Sequence, residues 1–226
     1  MKKVLFASVC ALMFGANSYA ADIIPPSNYD WSGFYLGAQF GYTWENEDLT
    51  LTPNGGTAYN TTHSNPNFLV GGVNAGYNWQ ESNFVFGVEA DAEAKGLNNS
   101  YAIGAPFSGT TGTTQSNLQG SLRLRGGLAL DRTLLYATGG VAIAQFNDTF
   151  STPPTFFDNP SSTRLGWTIG AGVEQALSEN WTARVEYRYT DFGTHSDNLN
   201  NFLKPPGFST DRITDQTVRI AIDYKF

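Results

Sequence analysis

The residues able to do chemistry here are charged side chains at alternate positions of short runs. Glu89, Asp91 and Glu93 are spaced two apart, and so are Arg123 with Arg125 and Arg184, Glu186 and Arg188; Glu174, Arg219, Asp223 and Lys225 occupy the same phase in runs of their own. On a strand, a spacing of two puts side chains on one face. These six acids and six bases are therefore expected to meet as ion pairs rather than as a catalytic set. Other candidates are sparse. His63 and His195 are the only histidines, and no spacing ties them together. Thr194-His-Ser-Asp197 holds the residue types of a nucleophilic triad, but triads are geometric and neighbours on an extended chain point to opposite faces. An outer-membrane deacylase would also want its serine two residues after the histidine, where this chain has Asp197. The acids Glu47, Asp48, Asp148, Asp158, Asp197 and Asp211 are scattered without calcium-loop spacing and read as solvated loop charge.

Eight alternating segments must position the charges. They run over Ser32 to Glu45, Asn67 to Gln80, Phe84 to Ala94, Ser116 to Leu130, Leu134 to Phe146, Thr163 to Leu177, Trp181 to Tyr189 and Val218 to Phe226. In the first, Phe34, Leu36, Ala38, Phe40, Tyr42 and Trp44 share one face and Tyr35, Gly37, Gln39, Gly41, Thr43 and Glu45 the other. The last ends the chain on Tyr224 and Phe226, as outer-membrane barrels finish. In the Gly- and Ala-rich fifth segment, Val141 and Ile143 are expected to face outward. Tight turns at 80–83, 131–133 and 178–180 alternate with long polar connections near 46–66, 95–115, 147–162 and 193–211, the short-turn, long-loop asymmetry of an outer-membrane barrel.

Composition agrees. Lys2 and Lys3, the apolar run from Val4 to Gly15 and Ser18-Tyr19-Ala20 form a signal peptide over 1–20. Residues 21–31 follow as a linker on the periplasmic side, and 32–226 as the barrel. Cys10, the one cysteine, falls in the signal peptide, so thiol chemistry is not expected of the mature chain. Setting aside the two lysines takes the net charge from −7 to −9, which argues against nucleic acid. Mean hydropathy of −0.27 fits a barrel, where outward and inward residues cancel along each strand.

The expected fold is an all-β, eight-stranded antiparallel up-and-down transmembrane barrel, with both termini periplasmic and long loops outside. Eight strands enclose room for side chains or one small ligand. A matched set of charges in that space is expected to pair and plug it.

Asp30-Trp-Ser-Gly-Phe-Tyr-Leu-Gly37, Tyr136-Ala-Thr-Gly-Gly-Val-Ala142, Arg184-Val-Glu-Tyr-Arg-Tyr-Thr-Asp-Phe192 and the terminal Phe226 resemble the porin-family, OmpA-like outer-membrane immunogenic proteins of alphaproteobacteria. The resemblance covers essentially the whole mature chain. It implies an abundant, surface-exposed, often antigenic eight-stranded barrel; the filled lumen and the lack of a site make a structural role in envelope integrity the expected function. The separate periplasmic, peptidoglycan-binding domain of full OmpA proteins is not expected. The partners implied are outer-membrane lipid and lipopolysaccharide, the barrel-assembly machinery acting on Tyr224 and Phe226, and host or phage contacts at the loops. Some relatives bind hemin; His63 and His195 are then its candidate ligands, and no other cofactor is expected. A small-solute porin is the remaining alternative, and an enzyme is not expected.

Overall fold

The computed structural model describes residues 29–53, 59–64, 67–96, 99–103, 110–152, 156–158, 161–198 and 207–226. The expected signal peptide and residues 21–28 lie outside the described residues. Eleven strands follow one another: β1 (Gly33–Pro53), β2 (Tyr59–Ser64), β3 (Asn67–Glu81), β4 (Phe84–Gly96), β5 (Asn99–Ile103), β6 (Thr110–Leu130), β7 (Thr133–Thr152), β8 (Phe156–Asp158), β9 (Ser161–Ala176), β10 (Trp181–Asn198) and β11 (Gly207–Lys225).

Eight of them close a barrel. Each of β1, β3, β4, β6, β7, β9, β10 and β11 pairs antiparallel with the next, and β11 returns to β1 from Tyr35↔Lys225 to Pro53↔Gly207. The eight sequence segments fall one in each wall strand. Closure leaves the wall without a lateral edge, so its backbone groups are satisfied between strands.

Period two then sorts the side chains. Phe34, Leu36, Phe40 and Tyr42 point away from the barrel while Tyr35, Gln39, Thr43 and Glu45 are buried within it. In β7, Val141 and Ile143 face outward and Ala142 and Ala144 inward. The outer belt is bounded by rings. At the end carrying the tight turns and the C-terminus, Trp181, Tyr224, Phe226 and Phe34 touch in succession, with centroids 5.1, 5.0 and 5.5 Å apart. Tyr42 packs on Trp44, and Trp167 on Tyr189, toward the far end. From Phe34 to Trp44, β1 rises about 33 Å along its own axis, or about 25 Å after the tilt of such barrels, the height of a hydrocarbon-facing belt.

At the near end, β3–β4 and β6–β7 are joined by two-residue turns that open on left-handed residues, Ser82 and Asp131, each at φ 57°. At the far end the long polar connections are largely β-structure. The β1–β3 ladder stops at Trp44↔Asn67, and β1 then pairs with β2. The β9–β10 ladder stops at Trp167↔Asp191. Beyond these levels the described pairings form two ribbons, β2–β1–β11–β10 and β5–β6–β7, the latter flanked by β8 and the start of β9. Threonine- and asparagine-rich sequence of this kind carries no apolar alternation, because it needs no apolar face, and reads as loop.

Candidate functional site: the charged lumen

The inward faces of β4, β6, β10 and β11 meet at the middle of the barrel. Arg123 on β6 reaches Glu89, with Glu186 at 2.6 Å and Asp91 at 3.4 Å. Arg184 bonds Glu89 and approaches Asp223 at 3.3 Å. Arg188 bonds Glu93 and lies 3.2 Å from Asp91. Arg219 completes the circuit, 3.0 Å from Glu93 and 4.0 Å from Glu186. These are five carboxylates and four guanidiniums in one connected cluster, and every side chain in it is at most 2 % exposed.

Neutral groups tie the cluster to the wall. Ser121 donates to Asp91 and Asn74 to Asp223, while Tyr35 donates to Glu89 at 2.7 Å and Tyr136 to Glu186 at 3.1 Å. The two tyrosine rings need space, and glycine supplies it. A Cβ at Gly76 would strike the Tyr35 ring, and one at Gly172 the Tyr136 hydroxyl.

Arg125 and Glu174 pair separately, nearer the tight-turn end, with Thr182 donating to Glu174 at 2.5 Å. The Arg125 guanidinium lies 3.9 Å from the Tyr136 ring centroid, a cation–π contact. Toward the far end, Lys95 bridges Glu45 at 3.2 Å and Asp215 at 2.8 Å, and sits 4.7 Å from the Phe68 ring centroid. Arg164 pairs with Asp211. Arg212, more than half exposed, meets Asp191 at 2.7 Å.

The structure thus brings together Glu89, Asp91, Glu93, Arg123, Arg184, Glu186, Arg188, Arg219 and Asp223, and sets Glu174 beside Arg125. Lys225 stands apart and corrects the expected set. It is half-buried at the near mouth, donates to the Asp30 carbonyl and lies 4.5 Å from the Tyr29 ring centroid. It lies opposite Tyr35 in the terminal rung of the β1–β11 ladder, so its side chain reaches the rim and not the middle of the lumen. Among the described residues the inner lysine is Lys95, one position past the end of the third segment. Asp211 corrects a second expectation, since it is buried and paired rather than solvated. Continuous alternation from Asp211 through Asp215 to Arg219 was the signal available for it.

The histidines sit on strands. His63 lies on β2 opposite Asp48, and His195 is half-buried on β10 opposite Asp211. Two strands, β1 and β11, separate them. The Thr194–Asp197 run lies in the β10–β11 ladder, where Ser196 and the Thr210 hydroxyl are 3.3 Å apart, so His195 and Ser196 take opposite sides of one strand. Among the described residues, no three of His, Cys, Asp and Glu are grouped to hold a metal ion.

At the near end, residues outside the wall pack against it. Trp31 is 2 % exposed and packs with Tyr29, Val85, Ala129, Leu134, Tyr136 and Ala176. Burial, with Glu174 and Glu179 nearby, pushes the Tyr29 phenol up to about 12. The Ser32 backbone N–H, 2.8 Å from Asp30, holds that carboxyl below its usual range. At the other end Phe192, Ile213, Ala142 and Ala144 form an apolar cluster.

Comparison with known proteins points one way. Residues 6–226 match the outer membrane protein beta-barrel domain family. The 31 kDa outer-membrane immunogenic protein of Brucella melitensis is 33 % identical, the match covering 100 % of both chains. The 22 kDa outer membrane protein of Rhizobium leguminosarum is 31 % identical over 87 % of this chain and 78 % of its own. The crystal structure of OprG from Pseudomonas aeruginosa superposes with a TM-score of 0.61 over 90 % of this chain and 99 % of that one, at 16 % identity, a likeness of fold.

Proposed function

This chain belongs to the outer membrane protein beta-barrel domain family, and from that premise we propose that it is a closed surface anchor of the outer membrane. Its lumen is shut by ion pairs, its tight turns and termini face the periplasm, and its far-end ribbons are displayed outside. The observation that carries the reading is the nine-membered cluster around Arg123, which spans the lumen at its middle with every side chain nearly or wholly buried. Rows of charge also line true pores. Here each guanidinium is engaged by carboxylates from other strands, so an ion entering would have to displace bonds rather than follow a wetted row.

The outer belt engages lipid, and the ribbons, polar and strand-built, engage lipopolysaccharide and present the antigenic surface that the relatives' names denote. Tyr224 and Phe226, at the end of the closing strand, are the groups that the assembly machinery would read. The role is structural: the charged groups are consumed by one another rather than gathered around a substrate.

Planar-bilayer conductance of the refolded protein tests this. The parent is expected to be silent and Arg123→Ala to leak, because that substitution unseats Glu89, Asp91 and Glu186 together. Steady, ion-selective conductance in the parent would make the lumen a pore and the protein a small-solute porin.

A further inference from the structure

Residues 29–32 belong to no strand, yet they bond beside or at each tight turn and at the end of the chain. The Trp31 N–H donates to the Gln80 side chain at 2.7 Å, and the Gln80 N–H to the Ser32 hydroxyl at 3.1 Å, beside the first turn. The Trp31 indole donates to the Asp131 carbonyl at 3.2 Å in the second, and the Tyr29 hydroxyl to the Glu179 carbonyl at 3.1 Å in the third. Lys225 donates to the Asp30 carbonyl and, with Arg132 at 5.8 Å, flanks the Tyr29 ring.

The Trp31 ring packs in an apolar collar that includes Ala129, Leu134 and Tyr136. Tyr136 carries Arg125 on its ring, and the Arg125 and Glu174 side chains are only 1 % and 5 % exposed. Charges this near the mouth of a barrel would be wetted unless something covered them. We propose that residues 29–32 form a releasable stopper for the near mouth, with Trp31 as its cork, whose lifting admits water to the Arg125–Glu174 layer while the deeper cluster keeps the lumen shut.

Release is local. The strap's bonds run to two of the turns, to Gln80 at the end of β3 and to Lys225, and none is part of the wall ladder, so it can open as a small unit without unzipping a strand. What lies behind the cork rests on the closed-lumen reading; the sealing of the mouth does not.

Thiol protection tests the stopper on the full chain carrying Cys10→Ser, folded in detergent and checked for its native mobility before heating. Ala129→Cys places a probe in the collar, and Ala144→Cys a control in the far-end cluster. With a small impermeant maleimide, Ala129→Cys is expected to be protected when Trp31 is present. Its labelling should accelerate by about tenfold or more with Trp31→Ala, and stay near the parent rate with Trp31→Phe, which keeps the ring and loses the indole N–H. Ala144→Cys should stay protected throughout. Equal labelling of Ala129→Cys with and without Trp31, whether fast or slow, overturns the proposal. If Trp31→Ala does not fold, Tyr29→Ala with Lys225→Gln removes the outer holds and carries the same comparison. Conductance by the parent would undo the closed lumen and leave the thiol result to decide the stopper alone.

Discussion

Arg123 and Arg132 lie nine residues apart and have opposite consequences. Arg123 is wholly buried against Glu89, Asp91 and Glu186, so its loss leaves carboxylates desolvated and uncompensated. Breaking a buried pair by removing one partner costs about 3–5 kcal/mol. Arg132 pairs with Glu179 at 2.6 Å, with the Glu179 side chain largely and the Arg132 side chain nearly half in solvent, a setting worth under about 1 kcal/mol. The unfolding free energy from urea titration in lipid vesicles should therefore fall by that larger amount for Arg123→Ala and hardly move for Arg132→Ala; similar losses for both would mean the cluster does not hold the barrel. At this scale the sequence was legible wherever a charge sat inside an alternating run. It misassigned Lys225 and passed over Lys95, because a run's phase says which face a residue takes and not where the wall ends.

Strands carry the next scale. Gly193 follows Phe192 in β10 at φ +71°, and the β10–β11 register shifts between Asp191 and Thr194. The bulge makes Asp191 and Phe192 both buried, breaking the alternation. Asp191 accepts from the Gly193 N–H at 2.7 Å, which fixes the turn of the chain. An alanine in the left-handed region costs about 1–2 kcal/mol. Gly193→Ala is expected to lower the urea midpoint accordingly and to loosen Phe192 from Ile213, read as faster proteolysis at the far end of the folded protein. No change in either would show that the bulge tolerates a side chain. The far-end strands were the least legible elements. Their sequence is mostly polar with only scattered apolar residues, so the partner strand marks them as β more than any alternation does.

For the whole molecule, most large apolar side chains of the described wall face outward and most of its charges face inward. Leu124 is 69 % exposed at mid-height of β6, directly between Arg123 and Arg125, which are both buried. Leu177 is similarly exposed, at the tight-turn rim. Arginine on the lipid face costs about 2–4 kcal/mol at the midplane and about 0–1 near the interface. Leu124→Arg should then be far more costly than Leu177→Arg in vesicles; equal costs would mean that the belt does not lie in hydrocarbon.

The sequence by itself determined the eight wall strands, the face of each and the class of fold, because period-two alternation and turn chemistry are local and survive in one dimension. Which charges meet, which pairs stand alone and that Trp31 corks the near mouth were decided only by the tertiary structure. Those contacts join positions far apart in the chain, such as Arg184 with Glu89 or Trp31 with Asp131. Their partners follow from how the sheet closes on itself, and closure is a property of all eight strands together.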